Sequence, residues 1–112
     1  MTYTISEHDA IQVVEVRNLL SELDNKAILK DIQNRMESGH SKYVVDLAKL
    51  KFMNSTGLNF LIMLMTKSKD SGSKLAIANA SDQVINLLEL TKLKSQFDLQ
   101  ASLDAAIREL EA

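Results

Sequence analysis

The chain has 112 residues, 46% apolar and 25% charged, the balance of one globular domain over 1–112 rather than of a disordered segment. A net charge of -2 excludes a broad basic field for nucleic acid, and the absence of Cys excludes disulfides, thiolate catalysis and Cys-based zinc sites. Aromatic residues amount to 4% and Trp is absent, so the core has to be built from Leu, Ile, Val, Ala and Met.

Tyr3 to Ile5 and Ala10 to Val16 read as two short strands, linked by the polar, turn-like Ser6-Glu7-His8-Asp9. Their closeness predicts an antiparallel pair. In the second strand Ile11, Val13 and Glu15 alternate with Gln12, Val14 and Val16, a partly two-sided pattern. Asp24 can cap a helix running to about Glu37, and Gly39 ends it. Lys42 to Leu47 holds a short buried strand around Tyr43-Val44-Val45. The segment Phe52-Met53-Asn54-Ser55-Thr56-Gly57-Leu58 leads into a helix to about Lys69, closed by Gly72. Lys74 to Ala78 reads as a strand, and Ser81 caps a helix through about Leu90. Phe97 to Leu99 is a possible last strand, and Ser102 caps a final helix carrying Leu103, Ala106, Ile107 and Leu110 on one side. Strands alternating with helices predict an α/β fold with a mixed, mostly parallel sheet of about five strands, right-handed crossovers and about four helices.

Chemistry is sparse. His8 and His40 both lie in polar loops, and Asp46 and Asp70 have no visible mate. There is no Gly-rich phosphate loop and no set of nucleophile, base and orienting group. The reading is therefore not an enzyme, with no catalytic residues, no metal ligands and no cofactor. No cationic stretch followed by an apolar run occurs in Met1 to His8, and the longest apolar stretch, Phe60 to Met65, is too short to cross a bilayer. A cytoplasmic location without membrane insertion is the expectation.

Asn54-Ser55-Thr56-Gly57 falls at the carboxyl-end side of the predicted parallel sheet, where ligand and partner sites gather. Asn54 or Ser55 can cap the following helix. On that helix Leu58, Leu61, Ile62 and Met65 share one face, and Phe60, Met63 and Leu64 form a second apolar stripe opposite. Neighbouring helices can bury that stripe. Any exposed remainder would be a protein-binding patch beside Ser55.

These residues carry a resemblance. Asp46-Leu47, then Phe52-Met53-Asn54-Ser55-Thr56-Gly57-Leu58, resembles the loop of STAS domains, in which an Asp-Leu strand end precedes Asp-Ser-(Ser/Thr)-Gly-Leu. The order of elements matches over nearly the whole chain, as do Leu23-Asp24, Leu75 to Ala78, Leu87-Leu88, Phe97 and Ala105-Ala106. Within that family the chain is most similar to the single-domain anti-sigma factor antagonists. The resemblance implies a partner-switching role: the unmodified domain binds a kinase-type anti-sigma factor and so releases a sigma factor for transcription. The anti-sigma factor, a serine kinase, supplies Mg-ATP and phosphorylates the serine that corresponds to Ser55, and a PP2C-type phosphatase resets the switch. The implied partner-binding residues are Asn54, Ser55, Thr56, Gly57, Asn59, Phe60 and Met63. The sequence departs from the pattern at Asn54, where the family usually has Asp. Asn keeps the shape and the capping oxygen and loses a charge. The alternative is a non-phosphorylated STAS subunit of a membrane transporter or lipid-transport complex.

Overall fold

The computed structural model describes residues 2–111. Five strands and four α-helices follow one another as β1 (Tyr3–His8), β2 (Ile11–Val16), α1 (Glu22–Glu37), β3 (Lys42–Asp46), α2 (Ser55–Ser71), β4 (Lys74–Ala78), α3 (Asp82–Leu90), β5 (Leu99–Gln100) and α4 (Leu103–Glu111), with a 3₁₀ turn at Lys94–Gln96. The strands lie in the sheet in chain order, β1-β2-β3-β4-β5. β1 and β2 are antiparallel, and every later neighbour is parallel.

Each parallel step moves one strand further in the same direction. Right-handed crossovers therefore place α1, α2 and α3 on one face of the sheet. On that face Val14, Val16, Tyr43, Val45 and Ile77 pack with Ile28, Ile32, Leu61, Leu64, Val84 and Leu88 of the helices. The alternate residues Ile11, Val13, Val44, Ala76 and Ala78 point to the other face, where Ala106, Ile107 and Leu110 of α4 cover them. The two-sided apolar pattern of the strands thus reflects a sheet buried on both faces. Each aliphatic side chain so buried contributes roughly 1.5–3 kcal/mol relative to exposure.

Helix termini follow their local chemistry. Gly72 closes α2 at φ 71°, and Gly39 follows α1 at φ 99°, both in the left-handed region open to glycine. Ser81 Oγ accepts the Val84 N–H at 3.2 Å, and Ser102 Oγ accepts the Ala105 N–H at 3.1 Å.

Three boundaries differ from the sequence reading. The cap of α1 is Ser21, not Asp24: Ser21 is extended and accepts the Asp24 N–H at 3.2 Å. Asp24 instead sits in the first turn, where its charge favours the helix dipole. Ser6, Glu7 and His8 belong to β1, and the hairpin turns on Asp9 and Ala10 alone, at φ 48° and 70°. Two residues at positive φ twist as the flanking strands do, which allows so tight a loop. The last strand is Leu99–Gln100, because Phe97 and Asp98 follow the 3₁₀ turn before the parallel ladder begins.

Candidate functional site

β3 ends in Asp46, which is buried. Its Oδ1 accepts from the Ala48 N–H at 3.0 Å and from Asn79 Nδ2 at 3.0 Å, so the ends of β3 and β4 are tied through side chains. The ladder extends one step beyond, with the Leu47 N–H donating to the Ala78 carbonyl at 2.9 Å. The chain then crosses the sheet edge through residues 48–54, anchored by buried Leu50 and Met53.

Such a crossing leaves backbone groups without ladder partners, and buried ones must find others. For Met53 the partner is Gln83 in the first turn of α3. Gln83 Oε1 accepts the Met53 N–H at 3.0 Å, and Gln83 Nε2 donates to the Met53 carbonyl at 2.6 Å.

Asn54 is extended and caps α2, its Oδ1 accepting the Thr56 N–H at 3.0 Å. Its carbonyl accepts the Leu58 N–H at 3.0 Å, the first intrahelical bond. Ser55 is consequently the first residue of the helix. It is exposed, Thr56 is half-buried and Gly57 is buried. A Cβ at Gly57 would collide with Met53 Cγ and lie 3.1 Å from Leu19 Cβ. This glycine therefore answers to close approach, and its φ is ordinary for a helix. Leu19 is itself held by Asn25, whose Nδ2 donates to the Leu19 carbonyl at 2.9 Å.

A groove of about 320 Å³ opens between α1 and α2 beside Ser55. Glu22, Asn25 and Lys26 line it from α1, and Ser55, Asn59 and Met63 from α2. Glu22 and Lys26 form an exposed ion pair at 3.6 Å across one turn of α1, a pair worth a few tenths of a kcal/mol, on the order of 0.3–0.5. Among the described residues no side chain hydrogen-bonds Ser55 Oγ.

A family model described as the STAS domain matches residues 2–106. The chain belongs to the STAS domain family. Its fold is likewise that of solved STAS proteins. The Thermotoga maritima protein TM1081 superposes with a TM-score of 0.87 at 16% identity, over 98% of this chain and 95% of that one. An anti-sigma factor antagonist from Mycobacterium paratuberculosis gives 0.84 at 22% identity, over 99% and 94%. The anti-sigma factor antagonist SpoIIAA of Bacillus, in its unphosphorylated form, gives 0.81 at 16% identity, over 97% and 96%; it has also been solved phosphorylated.

In this STAS domain the residues singled out by sequence divide into two groups. Ser55, Thr56, Asn59, Phe60 and Met63 line one groove, whereas Asn54 serves as cap and Gly57 points inward. The second apolar stripe of α2 is mostly core. Phe60 is 1% exposed and Leu64 fully buried, because α1 packs along α2. Only Met63, 40% exposed, remains a surface residue of that stripe, and Asn59 Nδ2 reaches its sulfur at 3.6 Å. Phe60 is thus a wall at the bottom of the groove rather than an open contact. Exposed Phe52, just before the loop turns into α2, adds an apolar surface residue that lies outside the stripe.

Two residues that shape the loop escaped sequence reasoning. Gln83 and Asn79 act from other elements, 30 and 33 positions away from their partners in the chain. Asn79 gave a partial signal: a polar residue directly after a buried strand, taking φ 60°, suits Asn. Gln83 gave none, since the second position of a helix accepts most polar residues. Among the described residues no helix is long and apolar enough to cross a membrane.

Proposed function

We propose that this STAS domain is an anti-sigma factor antagonist, a non-catalytic protein switch controlled by phosphorylation of Ser55. The observation that carries the reading is the setting of Ser55: exposed, first in α2, with no side-chain partner on its hydroxyl, beside a groove rimmed by Met63. A serine hydroxyl is a weak nucleophile without a neighbouring base. Base, nucleotide and magnesium would all come from a kinase-type anti-sigma factor, which makes the domain its substrate and its ligand. The likeness to SpoIIAA, solved with and without phosphate, supports the same reading.

The physical consequence of phosphate is local. It adds about -1.5 to -2 charges and three acceptor oxygens. At the N-terminus of a 17-residue helix the dipole and free N–H groups favour an anion, so the fold survives. The charge instead lands at the lip of the groove that Glu22 and Met63 also line, and opposes an apolar or acidic partner surface. The anti-sigma factor is then released to capture its sigma factor, until a PP2C-type phosphatase removes the phosphate. Asn54 in place of Asp keeps the cap and leaves the loop one negative charge short, which lowers the repulsion that phosphate meets there.

Intact-mass analysis after incubation with a kinase-type anti-sigma factor and Mg-ATP tests this. One phosphoryl group on Ser55, absent from Ser55→Ala, is the expected result. Phosphate on Thr56 alone moves the site by one residue. No modification, with tight binding retained by Ser55→Asp, favours the rival role as a non-phosphorylated subunit of a transporter complex.

A further inference from the structure

The Ser55 loop is held from another element as well as by its own buried residues. Its last buried residue, Met53, offers both peptide groups to one side chain of another element. Gln83 accepts the Met53 N–H at 3.0 Å and donates to the Met53 carbonyl at 2.6 Å. A primary amide suits this pairing because it carries a donor and an acceptor side by side, matching the N–H and C=O of one residue as a neighbouring strand would. Glu has no donor when ionised, Met has neither group, and Asn is one methylene shorter.

What the pair fixes is the direction in which the chain enters α2. Met53 is fully buried, and its side chain fills the space that the missing Cβ of Gly57 leaves open. A rotation at Met53 therefore has to displace either its own side chain from Gly57 or its peptide from Gln83. Asn54 and Ser55 follow directly, and Asn54 must remain extended for its oxygen to reach the Thr56 N–H.

We propose that Gln83 is the positioning residue of the Ser55 site. It holds the Met53 peptide so that Ser55 emerges as the first residue of α2 with its hydroxyl outward. The inference deepens the phosphorylation reading and rests on it only for its biological use, because the clamp itself concerns the geometry of residues 53–57.

Two variants test the clamp without a partner. Gln83→Met keeps the volume and loses both bonds, and Gln83→Glu keeps the acceptor but sets a carboxylate oxygen against the Met53 carbonyl. Amide hydrogen exchange and backbone NMR of the full chain are the readouts. Gln83→Met is expected to speed exchange of the Met53 N–H at least tenfold and to shift the amide signals of residues 53–57. Core amides such as Val44 and Ile77 should stay protected in both variants, and Gln83→Glu should also speed Met53 exchange, because its carboxylate repels the Met53 carbonyl. Unchanged Met53 exchange in Gln83→Met overturns the proposal, and so does an equal loss of protection throughout the chain. Phosphorylation kinetics with a kinase-type anti-sigma factor form the second arm. A positioning role lowers kcat for Gln83→Met several-fold more than it raises KM, whereas an equal fall in the reactive fraction at unchanged kcat and KM overturns it. If wild-type Ser55 accepts no phosphate, the functional reading falls, and the exchange data still decide the clamp.

Discussion

Asn79 Nδ2 donates to Asp46 Oδ1 at 3.0 Å, joining the carboxyl ends of two adjacent parallel strands just where the chain leaves the sheet for the Ser55 loop. Asp46 is 7% exposed, so its carboxylate depends on donated hydrogen bonds rather than on water. Asn79 also occupies φ 60°, where most side chains are strained. Asn79→Gly keeps the backbone and loses the bond, which should cost about 1–3 kcal/mol. Asn79→Ala should cost about 1 kcal/mol more, because it adds the left-handed penalty. Urea unfolding of the pair measures both terms. Equal stability of the two variants would show that the backbone strain is absent.

Gly57→Ala should destabilise, although Ala is the better helix former by about 1 kcal/mol. The added methyl meets Met53 Cγ and Leu19 Cβ, neither of which is the free end of a side chain. Overpacking of this kind costs about 1–3 kcal/mol. Thermal melts should show a fall of a few degrees, with the largest amide shifts at Leu19 and Met53. A rise in melting temperature would mean that Met53 repacks without cost.

Two neighbours on α2 should respond in opposite ways. Met63→Gln, at a position 40% exposed, should change stability by less than about 0.5 kcal/mol and weaken partner binding. Leu64→Ala, at a fully buried position, should cost about 2–5 kcal/mol. Paired melting curves and partner titrations separate them. A clearly destabilised Met63→Gln whose folded fraction binds normally removes Met63 from the interface.

Both tyrosines should titrate late. Burial pushes the Tyr43 phenol up to about 12, with Arg35 opposing. Tyr3 is raised too, by burial and then by its bond to Asp31. The folded chain keeps these protons while the unfolded chain loses them near the ordinary value of about 10. The folded state thus binds more protons above that value, and stability falls as pH rises from about 10 to 12. Melting temperature against pH should decline over this window, and Tyr43→Phe should flatten the decline. It should also lose about 1 kcal/mol at neutral pH with the 2.7 Å bond to the His40 carbonyl.

The order of elements was legible because most of its marks are local: strands by short apolar runs, helix starts by the capping residues Asn54, Ser81 and Ser102, two helix ends by Gly39 and Gly72. The start of α2 at Ser55 was legible for the same reason, since cap and helix start are sequence neighbours. The second stripe of α2 was harder. Periodicity places Phe60, Met63 and Leu64 together, and only the packing of α1 separates buried Phe60 and Leu64 from exposed Met63. The Asp24 cap misled because Ser21 and Asp24 are both good capping residues three positions apart, and the choice depends on where the chain turns after Asn18. Gln83 lay beyond any local signal and Asn79 gave only a partial one, because their partners come from elements made adjacent only by the fold.

The face covered by α4 has a consequence for how the chain is made. Ile11, Val13, Val44, Ala76 and Ala78 form one apolar side of the sheet, and Ala106, Ile107 and Leu110 supply its cover. Strands β1 to β4 and the three helices of the opposite face all leave the ribosome earlier. Until residues 103–111 emerge and dock, that side of the sheet stays bare. That interval is when a chaperone has most to bind and when two nascent copies on one messenger have most reason to stick together. Replacing Ile107 and Leu110 by Ser should therefore raise aggregation of the chain, read by light scattering, whereas replacing the exposed Arg108 and Glu109 should not.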